Sequence, residues 1–141
     1  MVKFKQKGGS RLDIRDLEEI ENFYNIKLPE DYKINMLEYN GISPINEVYY
    51  KPSVWDDEIE LFYMLPIKNG SSTVETNNVL NDLSSYPEKH LIIGRTKTGG
   101  ISMSFKEKEI GGIYVFYSDG EIHKIAGSYT EFLEGLTEEY L

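Results

Sequence analysis

The residues most suggestive of chemistry in this 141-residue chain lie at positions 94–100, Gly-Arg-Thr-Lys-Thr-Gly-Gly. This stretch is similar in composition to a phosphate-binding loop. A P-loop, however, needs Gly-Lys-Ser/Thr at its second glycine, and here the chain continues Gly-Gly-Ile. We therefore expect a loop between two strands, in which Gly99 and Gly100 supply backbone angles that other residues resist.

Metal and acid–base chemistry find little support. The chain has no cysteine, and its two histidines, His90 and His123, lack a metal-binding spacing, so we expect both at the surface or at a strand edge. Four acidic residues lie close together, but neighbouring side chains in an extended segment point in different directions; these residues are Asp56, Asp57, Glu58 and Glu60. A solvated acidic patch is the favoured interpretation, and the sequence predicts no catalytic residue, metal or cofactor.

Charge narrows the choice of partners. The net charge is −9, although four of the 15 basic residues lie within the first eleven positions. Such an acidic body repels phosphate backbones and argues against nucleic acid, whereas it suits a basic protein partner. Acidity that serves only solubility is the alternative interpretation. The chain has no apolar run that could span a bilayer and no secretory signal, so we expect a cytoplasmic protein.

Two helices are expected near the N-terminus. Ser10 or Asp13 can cap a helix over residues 13–24, whose apolar stripe is formed by Ile14, Leu17, Ile20 and Phe23 or Tyr24. A second helix follows Leu28, with Pro29 at its first position. Its stripe is Tyr32, Met36 and Tyr39, and Asn40-Gly41 is expected to end it.

The rest of the chain alternates strands with two further helices. Ser72 and Glu75 form a capping box that predicts a helix to about Ser85, with Val74, Leu80 and Leu83 buried. Residues 101–105 alternate as a half-buried strand, and Asp119-Gly120 predicts a hairpin. A second capping box, Ser128 to Glu131, opens a closing helix packed through Phe132, Leu133, Leu136 and Tyr140.

These elements predict a flexible arm at residues 1–9 and a single α+β domain at 10–141. The domain should have a mainly antiparallel sheet with helices packed on one face. The other face, or an edge, would then be available to a partner. An exposed edge could also pair in a homodimer, although nothing in the sequence requires it.

The chain resembles the SUKH superfamily, which includes the yeast cell-wall-assembly regulator and many bacterial immunity proteins. The resemblance lies in Leu-Pro-Glu-Asp-Tyr-Lys at 28–33 followed by Tyr-Asn-Gly at 39–41. Leu-Ile-Ile-Gly at 91–94, Gly-Ile-Tyr-Val-Phe at 112–116 and Tyr-Thr-Glu-Phe-Leu at 129–133 also fit the family pattern. The motif residues expected to be structural are Leu28, Pro29, Tyr32, Tyr39, Asn40, Gly41 and Gly94.

The resemblance implies an immunity protein that binds and neutralises a cognate toxin, often a nuclease with a basic face. A non-enzymatic regulatory or scaffold module is the alternative, and a small-molecule binder or enzyme is a third hypothesis. The predicted partner-binding residues combine acidic and aromatic side chains: Tyr49, Tyr50, Trp55, Asp56, Asp57, Glu58, Glu60, Tyr117 and Asp119. Trp55 has a second interpretation as a core anchor for a long loop, and a tyrosine among these residues could simply decorate a sheet surface.

Overall fold

The computed structural model describes residues 2–52 and 58–139. The helices are α1 (Ile14–Tyr24), α2 (Glu30–Glu38), α3 (Val74–Asn77) and α4 (Tyr129–Glu134). The strands are β1 (Phe4–Gln6), β2 (Ile42–Pro44), β3 (Val48–Tyr50), β4 (Ile59–Met64), β5 (His90–Thr96), β6 (Gly100–Ser104), β7 (Ile113–Phe116), β8 (Ile122–Ala126) and β9 (Leu136–Thr137).

Seven of the strands form one antiparallel sheet in the order β8-β7-β6-β5-β4-β3-β9. The sheet curls strongly, because α4 and short turns are enough to carry the chain from β8 at one edge to β9 at the other. The Tyr50 hydroxyl of β3 donates a 2.7 Å hydrogen bond to the carbonyl of Ile125 in β8. This bond joins two strands that stand far apart in the order of the sheet.

One face of the sheet shares a hydrophobic core with the helices, as predicted for an α+β domain. Ring contacts mark this packing: Tyr32 of α2 meets Tyr129 of α4 edge-on with centroids 5.0 Å apart. Phe132 of α4 lies 5.1 Å from Tyr50, measured between ring centroids. Aromatic pairs of this geometry add stability beyond the area that they bury.

Helix α1 begins where one of the two predicted caps places it. The Asp13 carboxylate accepts a hydrogen bond from the Asp16 backbone nitrogen, and the Asp16 carboxylate accepts one from the Asp13 backbone nitrogen. The two bonds form a capping box. Leu17, Ile20 and Tyr24 are buried as predicted. The predicted stripe is wrong at Ile14, which is 57% exposed, because the buried face of this short helix is narrower than the pattern suggested. Of the two alternatives at its end, Tyr24 is buried and Phe23 is 53% exposed.

Helix α2 corrects the predicted boundaries. Pro29 is the N-cap rather than the first helical residue, and Tyr39 is already extended, so the helix ends at Glu38. Gly41 does have a positive φ of 74°, but it lies beyond the helix and leads into β2. A Cβ on Gly41 would lie 2.7 Å from the Pro66 nitrogen and 2.8 Å from the Met64 carbonyl oxygen. Glycine is needed there for close approach as well as for conformation.

Asn40 does not act as a helix stop; it is fully buried and fully bonded. Its Nδ2 donates to the carbonyls of Ser10, at 3.0 Å, and Ile67, at 2.8 Å. Its Oδ1 accepts from the Ile67 nitrogen at 2.7 Å, and its backbone nitrogen donates to Gln6 Oε1 at 3.0 Å. One side chain thus joins the N-terminal segment, the turn after α2 and the segment that follows β4.

The segment predicted as a flexible arm contains β1. This strand pairs antiparallel with β2, with Phe4 opposite Pro44 and Gln6 opposite Ile42. Lys7 lies over the Tyr63 ring, 4.5 Å from its centroid. Basic residues of the N-terminus are therefore placed against the end of β4.

The third predicted helix is mostly wrong. α3 has only four residues, and its cap is Thr73, paired with Thr76, rather than Ser72. The Asn78 side chain bonds the backbone nitrogen and carbonyl of Ile92 in β5, at 2.8 and 2.9 Å. The chain thus leaves the helix to run beside β5, which leaves Leu80 48% exposed while Leu83 is buried.

Strand β6 is buried on both faces, so its prediction as half-buried was wrong. Ser102 and Ser104 are fully buried because residues following α3 lie near the second sheet face around His90 and Ile92. At the closing helix Ser128 is the N-cap, but Glu131 bonds Gly127 instead of completing the predicted box. Phe132 and Leu136 are buried, Leu136 within β9, and Tyr140 lies outside the described residues.

Replacing Gly41 with valine should lower the free energy of unfolding by about 3 kcal/mol or more, because left-handed strain adds to a backbone clash. Gly120 is the matched control, since its φ is 95° but a Cβ there meets nothing within 4 Å. Gly120→Val should therefore cost only the strain, about 1–3 kcal/mol. Chemical denaturation compares the two variants, and equal losses would contradict the importance of the close approach at Gly41.

Candidate functional site

Strand pairing brings several predicted partner-binding residues together at one end of the sheet. Tyr49 lies opposite Glu60 of β4 and opposite Thr137 of β9. The Tyr49 hydroxyl donates to Glu47 Oε2 at 2.5 Å, and Glu138 accepts from Asn46 at 3.4 Å. We call Glu47, Tyr49, Glu60 and Glu138 the acidic patch.

Among the described residues that were predicted to bind a partner, Tyr50 lies outside the acidic patch. Tyr50 points into the core beneath α4, with only 7% of its surface exposed, so it cannot contact a partner. Burial raises its pKa, and nearby Glu131 adds to the rise. Glu58 is partly exposed just before β4. Trp55, Asp56 and Asp57 lie outside the described residues.

Tyr117 and Asp119 line a groove of about 740 Å³ beside the turns that join the later strands of the sheet. We call it the hairpin groove, because the β5–β6 turn and the β7–β8 turn form two of its sides. Arg95 comes from the end of β5, Lys97 and Thr98 come from the first turn, and Tyr117 to Gly120 come from the second. Asn77, Tyr86, Ile92 and the ring of Phe116 complete it.

Glycine and aromatic residues shape this groove. Neither Gly99 nor Gly100 has a positive φ, so the predicted reason for these glycines was wrong. Instead, the Phe116 ring occupies the space that a Cβ on Gly100 would need. Tyr86 packs edge-on against Phe116 at 5.9 Å between centroids, and its hydroxyl donates to the Glu121 carbonyl at 3.1 Å. These contacts hold the rings of Tyr86 and Phe116 along one side of the groove, with Phe116 against the backbone of Gly100.

The hairpin groove adjoins the acidic patch. The Lys97 backbone nitrogen donates to the Glu60 carbonyl at 3.1 Å, so the β5–β6 turn lies beside the strand that carries the patch. Sequence reasoning missed Arg95, Lys97 and Tyr86 as surface features of one site. The glycine-rich turn drew attention to Arg95 and Lys97, but only as a phosphate loop that the spacing excluded. Tyr86 carried no signal, because its place depends on the irregular segment after α3.

The motif residues lie mostly in the packing of the domain, although Gly94 also lines the hairpin groove. Leu28, Tyr32, Asn40, Gly41 and Gly94 are buried, and Pro29 and Tyr39 are half-buried. Gly94 lies against Met64, since a Cβ there would be 2.7 Å from the Met64 sulfur. The motif residues therefore act mainly in the packing of the fold.

His90 was predicted at the surface or at a strand edge, but it is buried at the start of β5, an interior strand of the sheet. The ring is 4% exposed, lies 2.8 Å from Ser102 Oγ through Nδ1, and meets Tyr114 edge-on at 4.7 Å. Burial first, and then Lys106, lower its pKa from 6.5 to about 4, against an opposing effect of Glu109. The ring is therefore neutral near pH 7. His123, on the edge strand β8, is half-exposed as predicted.

Within 2–52 and 58–139, no three residues among His, Asp and Glu are grouped so that they could hold a metal ion. No described helix is long and apolar enough to cross a membrane.

Comparison with known families identifies the fold. A sequence model of the SMI1 / KNR4 family (SUKH-1) matches residues 11–135. The match spans most of the chain, and the protein belongs to this family, which lies within the SUKH superfamily. Comparison with curated protein sequences found no match. Family membership supports either an immunity-protein role or a regulatory role, both of which act through protein–protein interaction.

The buried His90 should make stability depend on pH between 6.5 and about 4. In this window the unfolded chain binds the proton more readily than the folded chain, so lowering the pH reduces stability by up to about 1.4 kcal/mol per unit. Replacing His90 with Gln should flatten this part of the pH profile of unfolding free energy. His123→Gln is the control, and a profile unchanged by His90→Gln would show that the ring does not resist protonation.

Proposed function

We propose that this protein is an immunity protein that binds a cognate toxin and neutralises it. The observation that carries the proposal is the SUKH-1 match over residues 11–135. In this proposal the protein inhibits by occupying the toxin's working surface and performs no chemistry itself. It acts in the cytoplasm, where a toxin that has entered or been made in the cell would do damage.

The negative charge of the protein supports a nuclease as the toxin. A chain of net charge −9 attracts a basic surface over distances of about a Debye length, which speeds association. Nuclease toxins must bind phosphates and therefore present basic faces. Binding an acidic inhibitor on such a face would exclude the nucleic acid directly.

The acidic patch is the proposed point of first contact. It presents carboxylates around Tyr49, a half-buried aromatic residue on a regular strand. Tyrosine on a rigid element supplies contact area at low entropic cost, and aromatic anchors of this kind dominate many interfaces. Asp56, Asp57 and Glu58, which are close in sequence to β4, would extend the same charge.

The regulatory alternative rests on the same family membership and predicts a different outcome. A regulatory or scaffold module would bind cellular proteins without protecting the cell from a toxin. A growth assay in a bacterium distinguishes the immunity role from the regulatory role. The chain is co-produced with a candidate toxin domain, taken from the C-terminus of a large secreted protein if its gene lies beside the gene for this chain. Restored growth with a one-to-one complex supports immunity, whereas neither protection nor binding favours the regulatory role.

Reversing charge in the acidic patch should slow association with the toxin domain. Glu47→Lys combined with Glu60→Lys should lower the association rate by about tenfold at low salt, and added salt should shrink the difference. Stopped-flow binding measures this rate.

A matched control separates local from overall charge. Glu18 of α1 and Glu134 of α4 are exposed on helices, and reversing both changes the net charge by the same amount. This control variant should associate almost as fast as the unaltered protein. Equal slowing in the two double variants would show that net charge acts without a local patch.

A further inference from the structure

The hairpin groove has a charge opposite to that of the protein as a whole. Arg95 and Lys97 are both exposed and line the groove. Within the described part of the chain, neither of them forms an ion pair. The one acidic residue of the lining, Asp119, has its Oδ1 held by the Glu121 backbone nitrogen at 2.9 Å. Among the described residues the lining therefore carries two cationic side chains and one carboxylate, which leaves the groove with a net positive charge.

The walls of the groove suit an apolar group beside an anionic one. Tyr86, Phe116 and Tyr117 supply aromatic surface, and the absence of side chains at Gly99 and Gly100 lets the rings of Tyr117 and Phe116 lie close to the backbone there. A guanidinium binds a carboxylate through paired hydrogen bonds, while an ammonium adds an adaptable point charge. The groove thus matches a carboxylate that is attached to an apolar or aromatic neighbour.

Long-range charge decides what carries that carboxylate. A free small anion or a nucleic acid approaching this face meets the repulsion of a chain with net charge −9. A carboxylate displayed on a basic protein surface does not, because its surroundings are attracted to the adjacent acidic patch. The contact between Lys97 and Glu60 places the groove and the patch side by side.

We propose that the hairpin groove binds an Asp or Glu side chain, flanked by an apolar residue, from a segment of the same basic partner that meets the acidic patch. This inference rests on the proposed function for the partner's overall charge. The interface is then bipolar, with acidic residues of this protein against basic ones of the partner and Arg95 with Lys97 against a carboxylate. Such a pattern rejects basic proteins that lack the carboxylate at the matching position.

A displayed library of short random peptides, selected on the immobilised full chain, tests the groove without the partner. Selected sequences should be enriched in Asp or Glu next to an aromatic or aliphatic residue, within an otherwise neutral or basic peptide. A synthetic copy of a selected peptide should shift the backbone NMR signals of Arg95, Lys97 and Tyr117. Replacing its acidic residue with the corresponding amide should weaken binding by about tenfold or more.

Charge reversal in the protein supplies the decisive comparison. Arg95→Glu with Lys97→Glu should abolish peptide binding, whereas Lys106→Glu with Lys108→Glu, in the exposed β6–β7 connection, should retain it. Recovery of no peptide, peptides without carboxylates, or equal binding to both double variants would overturn the inference. It would also fall if acetate or phosphate alone displaced the peptide with similar affinity. Protection of cells by a protein that fails these tests would leave the immunity proposal intact.

Discussion

The buried amide of Asn40 is the interaction on which the remainder of the structure depends. It satisfies backbone groups of Ser10 and Ile67, which lie 30 and 27 residues away in the sequence. Leaving such groups unpaired in the interior would cost about 1–3 kcal/mol each. The hydrogen bonds of Asn40 hold the N-terminal segment and the turn into β2 against the end of β4. Gly41 allows the backbones to approach closely enough for these bonds to form.

Beyond the hydrogen bonds of Asn40, the sheet curls around the helical core. Tyr50 reaches Ile125 on the far edge strand, and α4 fills the interval with Phe132 and Tyr129. The curl buries one sheet face against the helices, and residues that follow α3 partly cover the other near His90. What stays open is the end of the sheet that bears the acidic patch and the hairpin groove. The binding proposals therefore follow from the way the fold closes, with charge deciding the kind of partner.

Local signals in the sequence predicted local structure well. Asp13 and Ser128 cap their helices, and Asp119-Gly120 turns between β7 and β8, because each acts on residues within a few positions. The burial of Tyr50, His90 and Ser102 escaped prediction, since it depends on strands and loops distant in sequence. The candidate site escaped prediction for the same reason. The pairing of Tyr49 with Glu60 depends on the strand register, and the shape of the groove depends on Tyr86, which an irregular segment positions.

The central claim is that the open end of the sheet, rather than the helices, meets the partner. Hydroxyl-radical footprinting of the protein with and without the toxin domain tests it most directly, because aromatic side chains are strong reporters. Tyr49, Tyr86 and Tyr117 should lose reactivity in the complex, whereas Phe23, 53% exposed on α1, should not change. Loss of reactivity at Phe23 with the three tyrosines unaffected would contradict the account and move the interface to the helical side.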